Sequence, residues 1–128
     1  MSYYFSKTLE ATVDQAVPRV TEALKAKGFG VLTTIDVAAT LKNKLDVDFR
    51  PYIILGACNP KFAHRALQSE DKIGTMLPCS VIVQDAGGGK AEVAAVDPVA
   101  SMAAVVNPGL EPIAMEVREL LKQAVESL

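Results

Sequence analysis

Apolar residues along this chain recur either at every second position or at every third and fourth, and the two periods mark out its elements. Residues 2–9 read as a first strand, with Tyr3, Phe5 and Leu9 on one face. Thr12 opens a helix, because Gln15 three residues on completes a capping box. Val13, Val17, Val20 and Leu24 follow at helical spacing, and Gly28 ends the run. Pro18 falls inside it, where it removes a backbone donor and favours a bend. Residues 29–35 are predicted as a second strand. Asp36 is placed to cap a short helix through Leu45, with Val37, Leu41 and Leu45 recurring every fourth residue.

Residues 51–58 form the third predicted strand. Tyr52, Ile54, Gly56 and Cys58 fall on one face and Ile53, Leu55 and Ala57 on the other. Both faces are apolar, so this strand should be central and covered on both sides. Asn59 can cap the next helix, with Pro60 in its first position and Phe62, Ala63, Ala66 and Leu67 as its buried stripe. Residues 79–85 and 90–96 read as a hairpin across Gly87, Gly88 and Gly89. A phosphate-cradling loop would need a helix directly after those glycines, and a strand follows instead. Asp97-Pro98 repeats the cap-then-proline pattern and starts a short helix. The last helix begins near Pro112, and Ile113, Val117, Leu120, Leu121, Ala124, Val125 and Leu128 mark its apolar face. Helices gather at the ends of this order, which predicts an α+β fold with a largely antiparallel sheet. Such a sheet, with helices on one face, leaves the other open. A homodimer would cover it; the alternative is that the two short helices fold over it.

Composition narrows the class. The chain has 128 residues, half of them hydrophobic and 22% charged, which is one domain with enough apolar mass for a core and excludes disorder. Residues 1–65 hold nine Lys/Arg and six Asp/Glu, and residues 66–128 hold four and nine, for a net charge of −2. Neither half suits a nucleic-acid partner. The first seven residues lack the basic and apolar pattern of a signal peptide, and no apolar run reaches the ~18 residues of a membrane span. Two cysteines do not make a secreted disulfide scaffold, so a cytoplasmic protein with reduced thiols and no membrane partner is expected.

Five segments in order, Gly28 to Asp36 (GFGVLTTID), Ala39 to Lys42 (ATLK), Gly56-Ala57-Cys58-Asn59-Pro60, Leu77-Pro78-Cys79 and Asp97-Pro98, together resemble the domain-of-unknown-function 302 family of small prokaryotic proteins. The resemblance runs over nearly the whole chain. It implies an α+β fold like that of the TATA-binding protein, with a curved antiparallel sheet, a long C-terminal helix and a β-α-β4-α order. It also implies dimers, and it implies no activity. The fold likeness carries no DNA binding with it. His64 lies outside the family pattern.

Few residues are candidates for chemistry. Cys58 closes the third strand and Cys79 opens the fourth, so an antiparallel pairing would set them side by side and a parallel crossover would leave them ~20 Å apart. Cys58 also precedes the helix start at Asn59, where a helix N-terminus lowers a thiol pKa. The plainer reading is that each cysteine is a small buried hydrophobe. Asp36 and Asp97 are read as caps that, with the helix amides, would line a cleft at one end of the sheet. His64 should point to solvent, and two Cys, one distant His and an Asp make no zinc site. No metal and no cofactor are expected. Met76, Met102 and Met115 read as core filler, and Tyr3, Tyr4 and Tyr52 as cross-strand packing. Three functions compete: a homodimeric module with a small-molecule cleft near Cys58, Asn59, Cys79, Asp36 and Asp97; a thiol-dependent redox or sulfur-carrier protein using Cys58 and Cys79; and a purely structural or regulatory interaction domain. Whether the protein is an enzyme stays open at this point.

Overall fold

The computed structural model describes residues 2–128. Five strands form one antiparallel sheet: β1 (Tyr4–Leu9), β2 (Gly30–Asp36), β3 (Tyr52–Cys58), β4 (Cys79–Gly87) and β5 (Lys90–Val96). Their order across the sheet is β1-β5-β4-β3-β2. The helices are α1 (Val13–Ala26), α2 (Val37–Leu45), α3 (Pro60–Ser69), α4 (Pro98–Ser101) and α5 (Glu111–Glu126). A 3-10 helix over Asp71–Met76, which the periodicity did not indicate, follows α3. The α+β class, the antiparallel sheet and the long C-terminal helix match the expectation from sequence.

Local chemistry explains the boundaries. Thr12 and Gln15 form the reciprocal capping box: the Gln15 amide donates to Thr12 Oγ1 at 3.3 Å, and the Thr12 amide donates to Gln15 Oε1 at 3.1 Å. Pro18 is exposed, and α1 continues past it to Ala26. The helix ends in a Schellman turn. Gly28 takes φ +87°, its amide donates to Lys25 O, and the Phe29 amide donates to Leu24 O. Phe29 then drops into the core. The hairpin between β4 and β5 needs positive φ at Gly87, Gly88 and Gly89, a conformation that side chains disfavour.

Both long helices lie on one side of the sheet. Helix α1 packs across β2 to β5, and α5 packs on β1, β5 and α1. Beneath them the inward residues of the central strands, Leu55, Val81, Val83, Val93 and Ala95, are fully buried. From α5, Ile113, Ala114, Val117, Leu121, Ala124 and Val125 complete the core. At the sheet edge, Lys7 Nζ ties β1 to the chain's last turn through the carbonyls of Glu126 and Leu128.

Several expectations change. Tyr3 precedes β1 and is exposed, so the inward face of β1 is Phe5, Lys7 and Leu9. Leu67 lies on the outer side of α3, and Leu120 is only partly buried beside the fully buried Leu121. Met76 and Met115 are exposed rather than core. Met115 is 52% exposed, because it sits ~200° around α5 from Ile113. Of these three methionines, Met102 alone packs against the core. Helix α2 buries no residue. The tyrosines do not pair across strands with one another: Tyr3 meets Tyr4 edge-on at 5.0 Å, and Tyr52 lies against Phe49 at 6.2 Å.

Leu121→Ala should cost about 2–5 kcal/mol, because its side chain has no exposed surface and the site is walled by α1 and the sheet. Met115→Ala should change stability by less than ~0.5 kcal/mol. Urea unfolding of the two variants checks both, and equal costs would mean the buried face of α5 is placed wrongly.

Candidate functional site

The chain leaves β3 at Cys58 and re-enters the sheet at Cys79, and β3 and β4 are antiparallel neighbours with Ala57 opposite Cys79. The two cysteines therefore stand at the same end of the sheet on adjacent strands. Both thiols are free. Ala57 and Cys79 face the helices, and Cys79 is only 8% exposed. Cys58 is the last residue of β3, and the alternation that turns Ala57 inward turns Cys58 the other way, to the rim. Proximity without a bond is the outcome.

A small cavity of about 30 Å³ lies beneath this end, bounded by α3, α4 and α5. Phe29, Phe62, Ala66, Leu77, Met102, Ile113 and Val117 line it together with Cys58 and Cys79, and only apolar surface faces it. Burial sets the acidity of the thiols. It pushes the Cys58 thiol up, and it pushes Cys79 up to about 11, with neighbouring Cys58 adding to the effect. Burial thus opposes the thiolate that the helix N-terminus was expected to favour at Cys58.

The remaining candidates divide by position. Asn59 occupies the N-cap of α3, yet its side chain makes no cap bond. Instead its amide donates to Lys27 O at 3.3 Å, and it leans over Gly28, where a Cβ would lie 3.0 Å from Nδ2. It joins the end of α1 to the start of α3. Asp97 is at the cysteine end and is 8% exposed. Its Oδ1 accepts from the Val99 amide at 2.9 Å and caps α4, and its Oδ2 accepts from Arg118 Nε at 3.1 Å. Arg118 in turn lies over the Phe5 ring at 5.1 Å. The Asp97 carboxylate is fully engaged in holding β1, β5, α4 and α5 together. Asp36 accepts from the Ala39 amide at 2.9 Å and caps α2, but it pairs with Ile53 at the other end of β3. That is ~17 Å from Cys58 along the strand, so the two cap carboxylates do not share a cleft. His64 is exposed on α3. Among the described residues no three His, Cys, Asp or Glu side chains come together to hold a metal, and no helix is long and apolar enough to cross a membrane.

On the opposite side of the sheet, sequence reasoning expected an open apolar face on β3 but not the rows that form it. Ser6, Ala94, Ile82, Ile54 and Ile35 are successive partners across all five strands and form one row on that face. Thr8, Glu92, Gln84 and Tyr52 form the next. Arg50 Nε donates to Gln84 Oε1 at 2.9 Å, Gln84 Nε2 donates to Glu92 Oε1 at 2.8 Å, and the Arg50 guanidinium lies over Phe49 and Tyr52. The face is hollowed by about 380 Å³, with Tyr4, Tyr52, Ile82 and Val96 among its walls. Gly56 also belongs to it. A Cβ there would run into the Thr33 hydroxyl and the Pro78 ring, which close over β3 beside Cys58. Ile54 and Ile82 on alternating positions were the legible signal; Arg50 and Thr33 carried none.

Comparison with known proteins supplies a family. The family described as "Domain of unknown function DUF302" matches residues 5–128. A crystal structure of an uncharacterized conserved DUF302 protein from Bacillus stearothermophilus is similar over 98% of each chain, with 28% identity and a TM-score of 0.90. No curated protein matches the chain.

Raising the Cys79 pKa makes the folded state favour the neutral thiol. Its contribution to stability is whole below the unfolded pKa of about 9 and is lost as pH rises toward about 11. Over that window the native protein should lose on the order of 2 kcal/mol more than Cys79→Ala does. Urea titrations of both proteins at pH 8, 9.5 and 11 check this; parallel losses would mean that Cys79 ionises freely in the fold.

Proposed function

The chain belongs to the DUF302 family, and from that premise we propose that it works as a homodimeric module, two copies joined through the open sheet face. The apolar pocket by Cys58 and Cys79 is then left on the helical side for a small ligand. The observation that carries the reading is the row Ala94, Ile82, Ile54 and Ile35 on a face that no long helix covers. An apolar centre rimmed by tyrosines and a hydrogen-bonded Arg50–Gln84–Glu92 chain has the anatomy of an interface: a dry middle and a polar edge. Arg50 and Glu92 on the rim are each hydrogen-bonded to Gln84 within one copy, so neither depends on the second copy for that bond. Two unpaired thiols suit a reducing compartment, which supports the cytoplasm as its place.

The thiol-dependent reading has less behind it. A nucleophilic or sulfur-carrying cysteine acts as its thiolate, and burial favours the neutral thiol at both positions. A chain acting as an interaction module needs no thiolate.

Sedimentation velocity at micromolar concentration should give a species of two 13.6 kDa chains. Ile82→Glu, which sets a charge in the middle of the row, should give a monomer with unchanged circular dichroism. A native protein that sediments as a monomer refutes the reading.

A further inference from the structure

The cavity beside the cysteines backs onto a second hollow. Met102, Leu110 and Ala114 line both. The second measures about 440 Å³ and lies between α4, the segment 103–109 and α5. Val99, Val105 and Val106 extend its apolar wall. Val106 is 97% exposed, although burial of a valine is favourable. Nor does it hang from a loose loop. The Val105 amide donates to Met102 O at 2.9 Å, and Asn107 Nδ2 donates to Ser69 O at 2.8 Å and to Glu70 Oε1 at 3.1 Å. Anchors on either side hold Val106 at the edge of the hollow.

Met102 belongs to the wall between the two spaces. Its side chain is unbranched, with three rotatable bonds, so it can swing without moving backbone. We propose that Met102 turns aside to join the cavity and the hollow into one slot for an aliphatic chain with a neutral or cationic head group. The chain's end enters the apolar space by Cys58 and Cys79, its methylenes lie against Val99, Val105 and Val106, and its head stays at the mouth. Glu111 is the charged residue lining that mouth, which disfavours an anionic head. This inference rests on the ligand-binding half of the proposed function and names the ligand class.

Methionine-methyl NMR on the full chain tests it, with 1-octanol, octylamine and octanoate as probes. The Met102 methyl should shift saturably with octanol and octylamine. The exposed Met76 and Met115, which line neither space, should stay in place. Octanoate should bind about two- to fivefold more weakly than octylamine, as befits one partly exposed charge. Glu111→Lys, an exposed substitution, should reverse that order. A Met102 methyl unmoved up to the solubility limit of octanol overturns the slot. So does an equal shift at Met76, Met102 and Met115, which would report unspecific adsorption. If octanol protects Cys79 from alkylation while Met102 stays unmoved, the slot falls but a ligand site at the cysteines stands.

Discussion

A hydrogen-bonded sheet has two faces, and this chain places both of its long helices against one of them. Everything else follows from that asymmetry. On the helical side small and β-branched residues, Ala91, Val93, Ala95, Val81 and Val83, let α1 and α5 approach the backbone closely and leave almost no exposed surface. On the other side the same strands continue to present apolar residues, Ile54 and Ile82 above all, with α2 too shallowly seated to cover them. A strand that is apolar on both faces is at home only between two covers. One of those covers is built into the chain, and the reading of the protein as a homodimer rests on supplying the other.

At the cysteine end of the sheet two opposed effects act on the thiols. A helix N-terminus favours negative charge, while removal from water disfavours it. The dipole effect falls off within a turn and is modest. Around Cys79, Phe62, Leu77 and Ile113 leave no polar surface at all, so burial prevails. The nearest carboxylate with any claim on the site, that of Asp97, is committed to the Val99 amide and to Arg118. What remains at this end is apolar space, which suits an apolar ligand better than covalent chemistry.

Local signals in the sequence were sufficient for most of the fold. The Thr12–Gln15 box, Gly28, the Asp97-Pro98 pair and the triple glycine each act over a few residues and stand where their chemistry directs, and Asn59-Pro60 starts α3 although the Asn59 side chain makes no cap bond. Periodicity also located the five strands to within a residue or two. The misplacements share a cause: they depend on contacts between distant segments. Met115 and Leu67 are apolar residues on helix flanks that no other element covers. Asp36 and Asp97 carry the same local cap pattern, but only strand direction decides that they stand at opposite ends of the sheet. Arg118 has no sequence mark that would pair it with an aspartate twenty-one positions away. The candidate site was legible as far as strand order could be guessed from consecutive strands, and the two cysteines met that condition. Its size and polarity were not legible, because α3, α4 and α5 together set them.

The two surfaces with functional claims lie on opposite sides of one strand. In β3, Leu55 and Ala57 close the helical side, while Ile54 and Gly56 face the open one. Because side chains alternate with a period of two, a slip of one residue would move Ile54 into the core and Leu55 out of it. Register in this strand is therefore specified from both sides at once. Gly56 adds a third constraint, since only a residue without a side chain lets Thr33 and Pro78 close over that point. The register that builds the apolar row is the same one that brings Ala57 opposite Cys79 and shapes the cavity. Substitutions in β3 consequently cannot be assigned to one surface alone, whereas Ile82 on the open side and Met102 on the helical side each belong to a single surface.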